Sequence, residues 1–425
     1  MLKRIRLTDL HLGMYVQELC GSWLDHPFWK AKFLLTQPQD LERLLSTSLQ
    51  ECWIDTAKGL DVPAGTVTQS REEVDAQIET NFSMLQDLPT VTVDLSLPIK
   101  PVRHRTPAGL EDELRKAASI CFNSKKAVVS MFSEARMGRP VDAAGAASLV
   151  EEIADSVARN PDALISLARL KTADDYTYMH SVAVCALMVA LARQLKLSDE
   201  QTQLAGMAGL LHDLGKAAIP QVVLNKPGKL TDHEFDVVRT HPVEGYAMLR
   251  DGGKVPNVVL DACLHHHEKF DGTGYPDKLK GEDISVIARM TAICDVYDAI
   301  TSDRPYKRGW DPAQSLRRMA EWTNDHFDPR LFQAFVKSIG IYPIGSLVRL
   351  SSGQIGVVTS HSPAALTQPT VKAFFSTKTS TRFNPVLINL AEPGCIEKIV
   401  AREDPEHWRF HDLAEMWSGL TEKIW

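Results

Sequence analysis

His180, the pair His212-Asp213, His241, the pair His266-His267 and Asp295 are the residues whose types and spacing could do chemistry in this sequence. Imidazole and carboxylate together offer the nitrogen and oxygen donors that suit divalent Zn, Fe, Mn, Ni or Co. Seven of the 14 histidines, at 180, 212, 233, 241, 265, 266 and 267, crowd into this stretch. Six or seven such donors exceed what one catalytic metal takes from protein while keeping a position open for water. Two metals sharing a bridging carboxylate are the simpler expectation. A lone histidine on an apolar face is more often a satisfied core residue, and a His-Asp dipeptide arises by chance. Only the joint pattern points to a metal. His233 follows a helix-capping threonine and reads as exposed. Lys216, three residues after Asp213, shares its face only if the helix continues past Gly215.

The elements that must position these groups are mainly α-helices. His180–Leu195 carries apolar residues at helical spacing. Ser198-x-x-Gln201 is a capping box that opens a helix over 199–214, and Thr231-x-x-Glu234 is another. Pro256 opens a helix over 257–267, and Ser285 caps one over 286–301. Asp142, Asn160-Pro161, Asp311-Pro312 and Asp328-Pro329 supply further start signals, and the last of these helices stops at Gly340. Several of the candidate donors fall on helices whose apolar faces must point inward, so they should project into a bundle core, where such proteins build metal sites. Before this core, Asp9–Val16 and Cys52–Thr56 read as short strands around a helical Asp40–Ser48 segment, followed by a Pro-rich linker and a helix over Leu110–Arg136. After it, Ser346–Leu350 and Ile355–Thr359 read as a hairpin about Ser352-Gly353. The expected organisation is a mixed α/β N-terminal domain at 1–140, a helical core at 141–340 and a small β-containing C-terminal segment at 341–425.

Composition narrows the function classes. The chain has 425 residues, 44% hydrophobic and 24% charged, which is ordinary for globular domains and excludes disordered or collagen-like classes. The net charge of −7 argues against a broad basic face for a nucleic-acid polymer. No apolar run approaches the roughly 18 residues that a membrane span needs. Seven cysteines without a CxxC pair suggest reduced thiols and a cytoplasmic protein. Trp23, Phe28 and Trp29 read as core or interface residues.

Five segments together resemble the HD-GYP family, metal-dependent phosphodiesterases that hydrolyse the bacterial second messenger cyclic di-GMP. They are His212-Asp213-Leu214-Gly215-Lys216, His266-His267-Glu268-Lys269-Phe270, Asp271-Gly272-Thr273-Gly274-Tyr275-Pro276, Asp295-Val296-Tyr297-Asp298-Ala299 and Ser302-Asp303-Arg304-Pro305-Tyr306-Lys307. The resemblance covers about residues 172–340. Leu12–Val16, Ser22-Trp23 and Ile54-Asp55-Thr56 are similar to a domain of unknown function often found before HD-GYP domains.

The resemblance implies an HD-type helical bundle whose metal ligands are His180, His212, Asp213, His241, His266, His267 and Asp295. It makes Asp213 the bridging carboxylate and a catalytic residue with Lys216, which would face the scissile phosphate. Arg304 and Lys307 would hold substrate phosphates. Tyr275, in the Gly-Tyr-Pro loop, would lie near the substrate, and that loop could also meet partner proteins. His265 is the extra histidine and not a ligand. Some family members add a Glu one turn before the first His and hold a third metal. Tyr176 occupies that position here, so two divalent transition metals are expected, Fe or Mn first and Ni, Co or Zn as alternatives, with a third left open through Asp174 or Asp175 if the backbone there is irregular. The implied reaction is attack by a metal-bridging hydroxide on cyclic di-GMP, giving pGpG and then GMP. A non-catalytic cyclic di-GMP receptor and another HD-type nucleotide phosphohydrolase are the competing readings, and the oligomeric state is open. Histidine ligands must be neutral, so activity should fall in mildly acidic buffer, which a pH–rate profile checks.

Overall fold

A computed structural model describes residues 1–20, 32–47, 49–85, 106–169, 176–226, 228, 230–302, 309–323, 325–361 and 365–419. The chain forms two compact units, Met1–Leu85 with Arg317–His326, and Gln86–Leu316 with Phe327–Trp425. Among the described residues no helix is long and apolar enough to cross a membrane.

The first unit holds β1 (Leu2–Arg6), β2 (Tyr15–Cys20), β3 (Phe33–Leu34), α1 (Pro38–Leu45), β4 (Glu51–Asp55), β5 (Gln69–Ser70) and α2 (Arg71–Met84). Its strands form one antiparallel sheet in the order β3-β2-β4-β1-β5. Ile5, Val16, Leu44, Cys52 and Ile54 bury their side chains together on it. The strand expected over Asp9–Val16 begins only at Tyr15. Leu7–Asp9 is a 3-10 turn, and Gly13 takes a positive φ of 90° just before the strand, a backbone state that suits glycine.

The second unit is the helical body. It contains α3 (Leu110–Arg136), α4 (Ala143–Arg159), α5 (Pro161–Arg169), α6 (Tyr176–Gln194), α7 (Asp199–Leu211), α8 (Gln221–Leu224), α9 (Asp232–Val238), α10 (His241–Asp251), α11 (Asn257–His265) and α12 (Val286–Thr301). Then come α13 (Pro312–Glu321, whose end is grouped with the first unit), α14 (Pro329–Ile339), five strands and the short α15 (Pro405–Trp408) and α16 (Leu413–Ser418). The expected start signals are made as hydrogen bonds. The side chains of Ser198 and Thr231 close capping boxes with Gln201 and Glu234, and Asp142 and Ser285 accept from Gly145 and Ala288. Gly340 ends α14 at a φ of 82°.

α6 and α12 are buried nearly all round, as helices at the centre of a bundle must be. α6 packs against α7, α12 and α14. The strands β6 (Leu347–Leu350), β7 (Gln354–Ser360), β8 (Thr370–Ser376), β9 (Thr381–Asn389) and β10 (Ile399–Arg402) form a second antiparallel sheet, order β10-β6-β7-β8-β9. The expected hairpin is the β6–β7 pair. Leu347, Ile355, Val357 and Phe374 from this sheet join the same buried cluster as Leu164, Leu167, Val189 and Leu210 from the helices. None of the seven cysteines, all among the described residues, is in a disulfide.

α7 lies close to α6 because glycine stands where the two backbones approach. A Cβ at Gly209 would stand 2.9 Å from the Val184 carbonyl and 3.0 Å from the Cys185 Cα. Alanine gains about 1 kcal/mol over glycine in a helix interior, but here it meets backbone that cannot step aside. Gly209→Ala should therefore destabilise the protein by about 1–3 kcal/mol in urea unfolding; a stabilised variant would mean that the close packing is unimportant.

Candidate metal centre

The helices bring the seven candidate donors to one buried place. His180 comes from the second turn of α6, and Asp295 from the middle of α12. His212 and Asp213 directly follow α7, where the chain leaves the α-helix for a 3-10 turn at Leu214–Ala217. The helix thus stops at Leu211 rather than Leu214, and this tighter turn, not a continued helix, sets Lys216 against Asp213. His241 opens α10, and His266 and His267 come just after α11, which ends two residues short of the expected end.

Asp213 is the hub. Its side chain is 1% exposed, and its two oxygens face different groups. Oδ2 lies 3.5 Å from His180 Nε2 and 3.4 Å from His212 Nε2, and it also receives Lys216 Nζ. Oδ1 lies 3.2 Å from His241 Nε2 and 3.8 Å from His266 Nε2. Asp295 stands across from it, 3.0 Å from His180 Nε2, 3.9 Å from His212 Nε2 and 4.0 Å from His267 Nδ1. Ligand atoms of Asp213, His241, His266 and His267 lie within 4.8 Å of one another, as do those of His180, His212 and Asp213.

The backbone fixes which ring nitrogens point inward. His212 Nδ1 lies 2.8 Å from the Gly209 carbonyl, His241 Nδ1 2.7 Å from that of Val238, and His266 Nδ1 2.8 Å from that of Cys263. A carbonyl only accepts, so each Nδ1 carries the proton and, in the neutral ring, Nε2 carries a lone pair. Each carbonyl belongs to the last turn of a helix, α7, α9 or α11, where no partner exists four residues on. The inward-facing lone pairs crowd: His241 Nε2 and His266 Nε2 are 3.2 Å apart. Two acceptors that close, beside two carboxylates, are a donor set for cations. The residues present therefore fit a divalent metal centre.

Electrostatics agree. Burial alone would raise the Asp213 carboxyl, but Lys216 and His212 hold it well below the ordinary carboxylate range. Burial likewise opposes ionisation of Asp295, and His180 keeps it low. Burial, with His212 and His241 nearby, pushes His266 down to about 3. His267 is also driven well below the usual imidazole value by burial and by His266 and His241. Burial lowers His212 too, but Asp213 and Asp295 outweigh it, and its pKa rises.

The Gly-Tyr-Pro loop forms one wall. The Tyr275 ring stacks on His267, with centroids 4.9 Å apart and planes at 28°, and the Arg239 guanidinium lies 4.5 Å from the Tyr275 ring centroid. Asp277 N donates to Glu268 Oε1 at 2.7 Å, and His265 bridges Asp261 at 2.8 Å and Asp277 at 3.0 Å. His265 thus braces the loop from outside the donor cluster, and His233 is exposed. Arg304, Lys307 and the rest of 303–308 lie outside the described residues, as do Trp23, Phe28 and Trp29 and the carboxylates Asp174 and Asp175.

Three features have no counterpart in the sequence pattern alone. Arg239 over Tyr275 is one. A second is a glycine contact, in which Gly215 packs on the backbone of His241 and Gly245 and leaves no room for a Cβ. This contact seats the 3-10 turn carrying Asp213 against the start of α10. The third is Asp298, whose Oδ2 lies 2.6 Å from His180 Nδ1. Its spacing of three from Asp295 on a helix is the one signal that could have found it.

The HD domain family matches residues 151–331, and a domain of unknown function (DUF3391) matches residues 2–146. The chain is 54% identical over 423 residues to a cyclic di-GMP phosphodiesterase of Pseudomonas aeruginosa, covering 99% of this chain and 97% of that one. It is 35% identical over 162 residues to a 3′3′-cGAMP-specific phosphodiesterase of Vibrio cholerae, covering 38% of this chain and 31% of the relative. A solved HDG"Y"P protein of Bdellovibrio bacteriovorus is 17% identical, with a TM-score of 0.43, covering 79% of this chain and 98% of that chain.

The histidine shifts have a consequence for stability. His266 and His267 refuse protons in the folded state, whereas in the unfolded chain they titrate near 6.5. As pH falls below about 6.5, the unfolded state takes up protons that the folded state does not, so stability falls. The raised His212 works against this, one group against two. Urea unfolding of chelator-treated protein should show this loss, and His266→Gln should flatten it. Stability that grows on acidification would contradict the neutral-imidazole cluster.

Proposed function

The chain belongs to the HD-GYP phosphodiesterase family, and from that premise we propose that it hydrolyses cyclic di-GMP at the buried His/Asp centre. The observation that carries the reading is Asp213, whose two oxygens face separate groups of imidazoles. His180, His212 and Asp213 would hold one divalent cation, and Asp213, His241, His266 and His267 a second, with Asp295 beside them. Fe or Mn is the first choice, with Ni, Co or Zn as alternatives, since a nitrogen–oxygen donor set accepts all of them. Cations bound there supply an activated water and neutralise charge on the phosphoryl group.

The protein's own residues do the rest. The carbonyl-anchored rings of His212, His241 and His266 enter the reaction already oriented, so little reorganisation is left for the reacting complex. Lys216 places a positive charge at the mouth of the centre, partly exposed, where a phosphate oxygen would arrive. Tyr275, stacked on His267, is proposed to line the substrate side. Arg304 and Lys307 are proposed to grip the phosphates of the dinucleotide. Water attack on one phosphorus breaks its bond to the 3′ oxygen and yields linear pGpG, and a second hydrolysis yields GMP. The division at 140 and 340 is proposed with this function on the family matches, which meet between 146 and 151, whereas the compact units divide after Leu85 and keep α3 and the C-terminal strands with the helical body. A cytoplasmic location and protein contacts through the Gly-Tyr-Pro loop are part of the same proposal.

Purified protein loaded with Mn²⁺ or Fe²⁺ should release pGpG from cyclic di-GMP, with 3′3′-cGAMP as the comparison substrate. Asp213→Ala should lose bound metal and turnover together, and full activity in that variant would overturn the site. Lys216→Met should keep its metal yet lower kcat by about 10²–10³-fold, the cost of losing one charge-stabilising group. Tight binding of cyclic di-GMP by metal-loaded protein with no pGpG or GMP released would identify a receptor instead.

A further inference from the structure

The candidate imidazoles are not all held in the same way. His212, His241 and His266 each donate Nδ1–H to a carbonyl in the last turn of a helix. His180 sits differently. It lies inside α6, in the second turn, where the carbonyls of the preceding turn are engaged by the helix itself. Its Nδ1 meets a carboxylate instead, Asp298 Oδ2, at 2.6 Å. Both residues are 2% exposed, so water does not screen the contact.

Asp298 is itself fixed. Ser302 Oγ lies 3.3 Å from Asp298 Oδ1, one turn further along the chain. Asp295 and Asp298, three apart on α12, therefore take opposite nitrogens of one ring: Asp295 Oδ1 is 3.0 Å from His180 Nε2, and Asp298 Oδ2 sits on Nδ1. A carboxylate partner does more than a carbonyl. It fixes the proton on Nδ1, leaves the Nε2 lone pair toward Asp213 and Asp295, and makes that lone pair a stronger donor.

We propose that Asp298 is a positioning residue that sets the tautomer of His180 and selectively tightens the metal position built from His180, His212 and Asp213. In the second position His241 and His266 are held by backbone carbonyls, and His267 stacks on Tyr275. The two positions of the centre are thus electronically unequal, with the carboxylate-backed side the stronger. The proposal rests on the metal-holding role assigned to the His/Asp centre.

Co²⁺ titration of the full-length, metal-free protein, followed by its visible absorption, tests the proposal. Wild type should take up two equivalents. Asp298→Ala should weaken one of them by about 10–100-fold, the usual effect of removing a partner of a ligating histidine, and leave the other unchanged. Asp298→Asn, which still offers an oxygen to Nδ1–H but no charge, should fall between the two. Melting of the metal-free proteins reports folding. If the alanine variant is unfolded, the asparagine variant carries the test, with a weakening confined to one equivalent. Wild-type affinity for both equivalents in the folded variants would overturn the proposal, and so would equal weakening of both. Wild type that takes up no Co²⁺ would instead overturn the metal reading itself, a separate and earlier failure.

Discussion

A carboxylate removed from water in the middle of a helical bundle must be surrounded by positive or hydrogen-bonding partners, or it will not stay ionised. Asp213 is that group, and much of the second unit can be understood as the means of surrounding it. α7 stops just before it, the 3-10 turn after it swings Lys216 back onto it, and the start of α10 and the end of α11 deliver imidazoles to its other oxygen. The glycine contact between Gly215 and the start of α10 lets two backbones touch where any side chain would hold them apart. Without that contact His241 could not approach the same carboxylate as His180.

Much of this was legible in the sequence because the decisive signals are local. A capping box spans four residues, so Ser198 with Gln201 and Thr231 with Glu234 can be read directly and are made as hydrogen bonds. The His and Asp donors are legible as a set because each lies on or beside a helix that the sequence marks. The departures are also local in cause. Gly215 signals that the helix ends nearby but not that it passes into 3-10 geometry, and the early strand starts later than its apolar residues suggest because Gly13 takes a positive φ.

The remaining gaps are non-local. Asp298 reaches His180 across 118 positions, and Arg239 reaches Tyr275 from another helix end. The Arg239 contact has no sequence period, and the Asp298 contact is signalled only by its spacing of three from Asp295 on one helix. The strand order of the first unit, with β4 between β1 and β2, is likewise set by long-range pairing. His265 shows the opposite case. Its place before Glu268 keeps it out of the expected donor set, and it serves as a brace for the Gly-Tyr-Pro loop by holding Asp261 and Asp277 together.

The three rings tied to helix-end carbonyls carry one more implication. Their orientation is set by main chain, which no amino-acid substitution removes. Its weak point is length rather than identity. One residue inserted into or deleted from the end of α7, α9 or α11 turns the downstream residues by about 100° and moves the carbonyl away from its ring. The register of those three helix ends is thus a constraint on the centre in its own right, beside the side chains that line it.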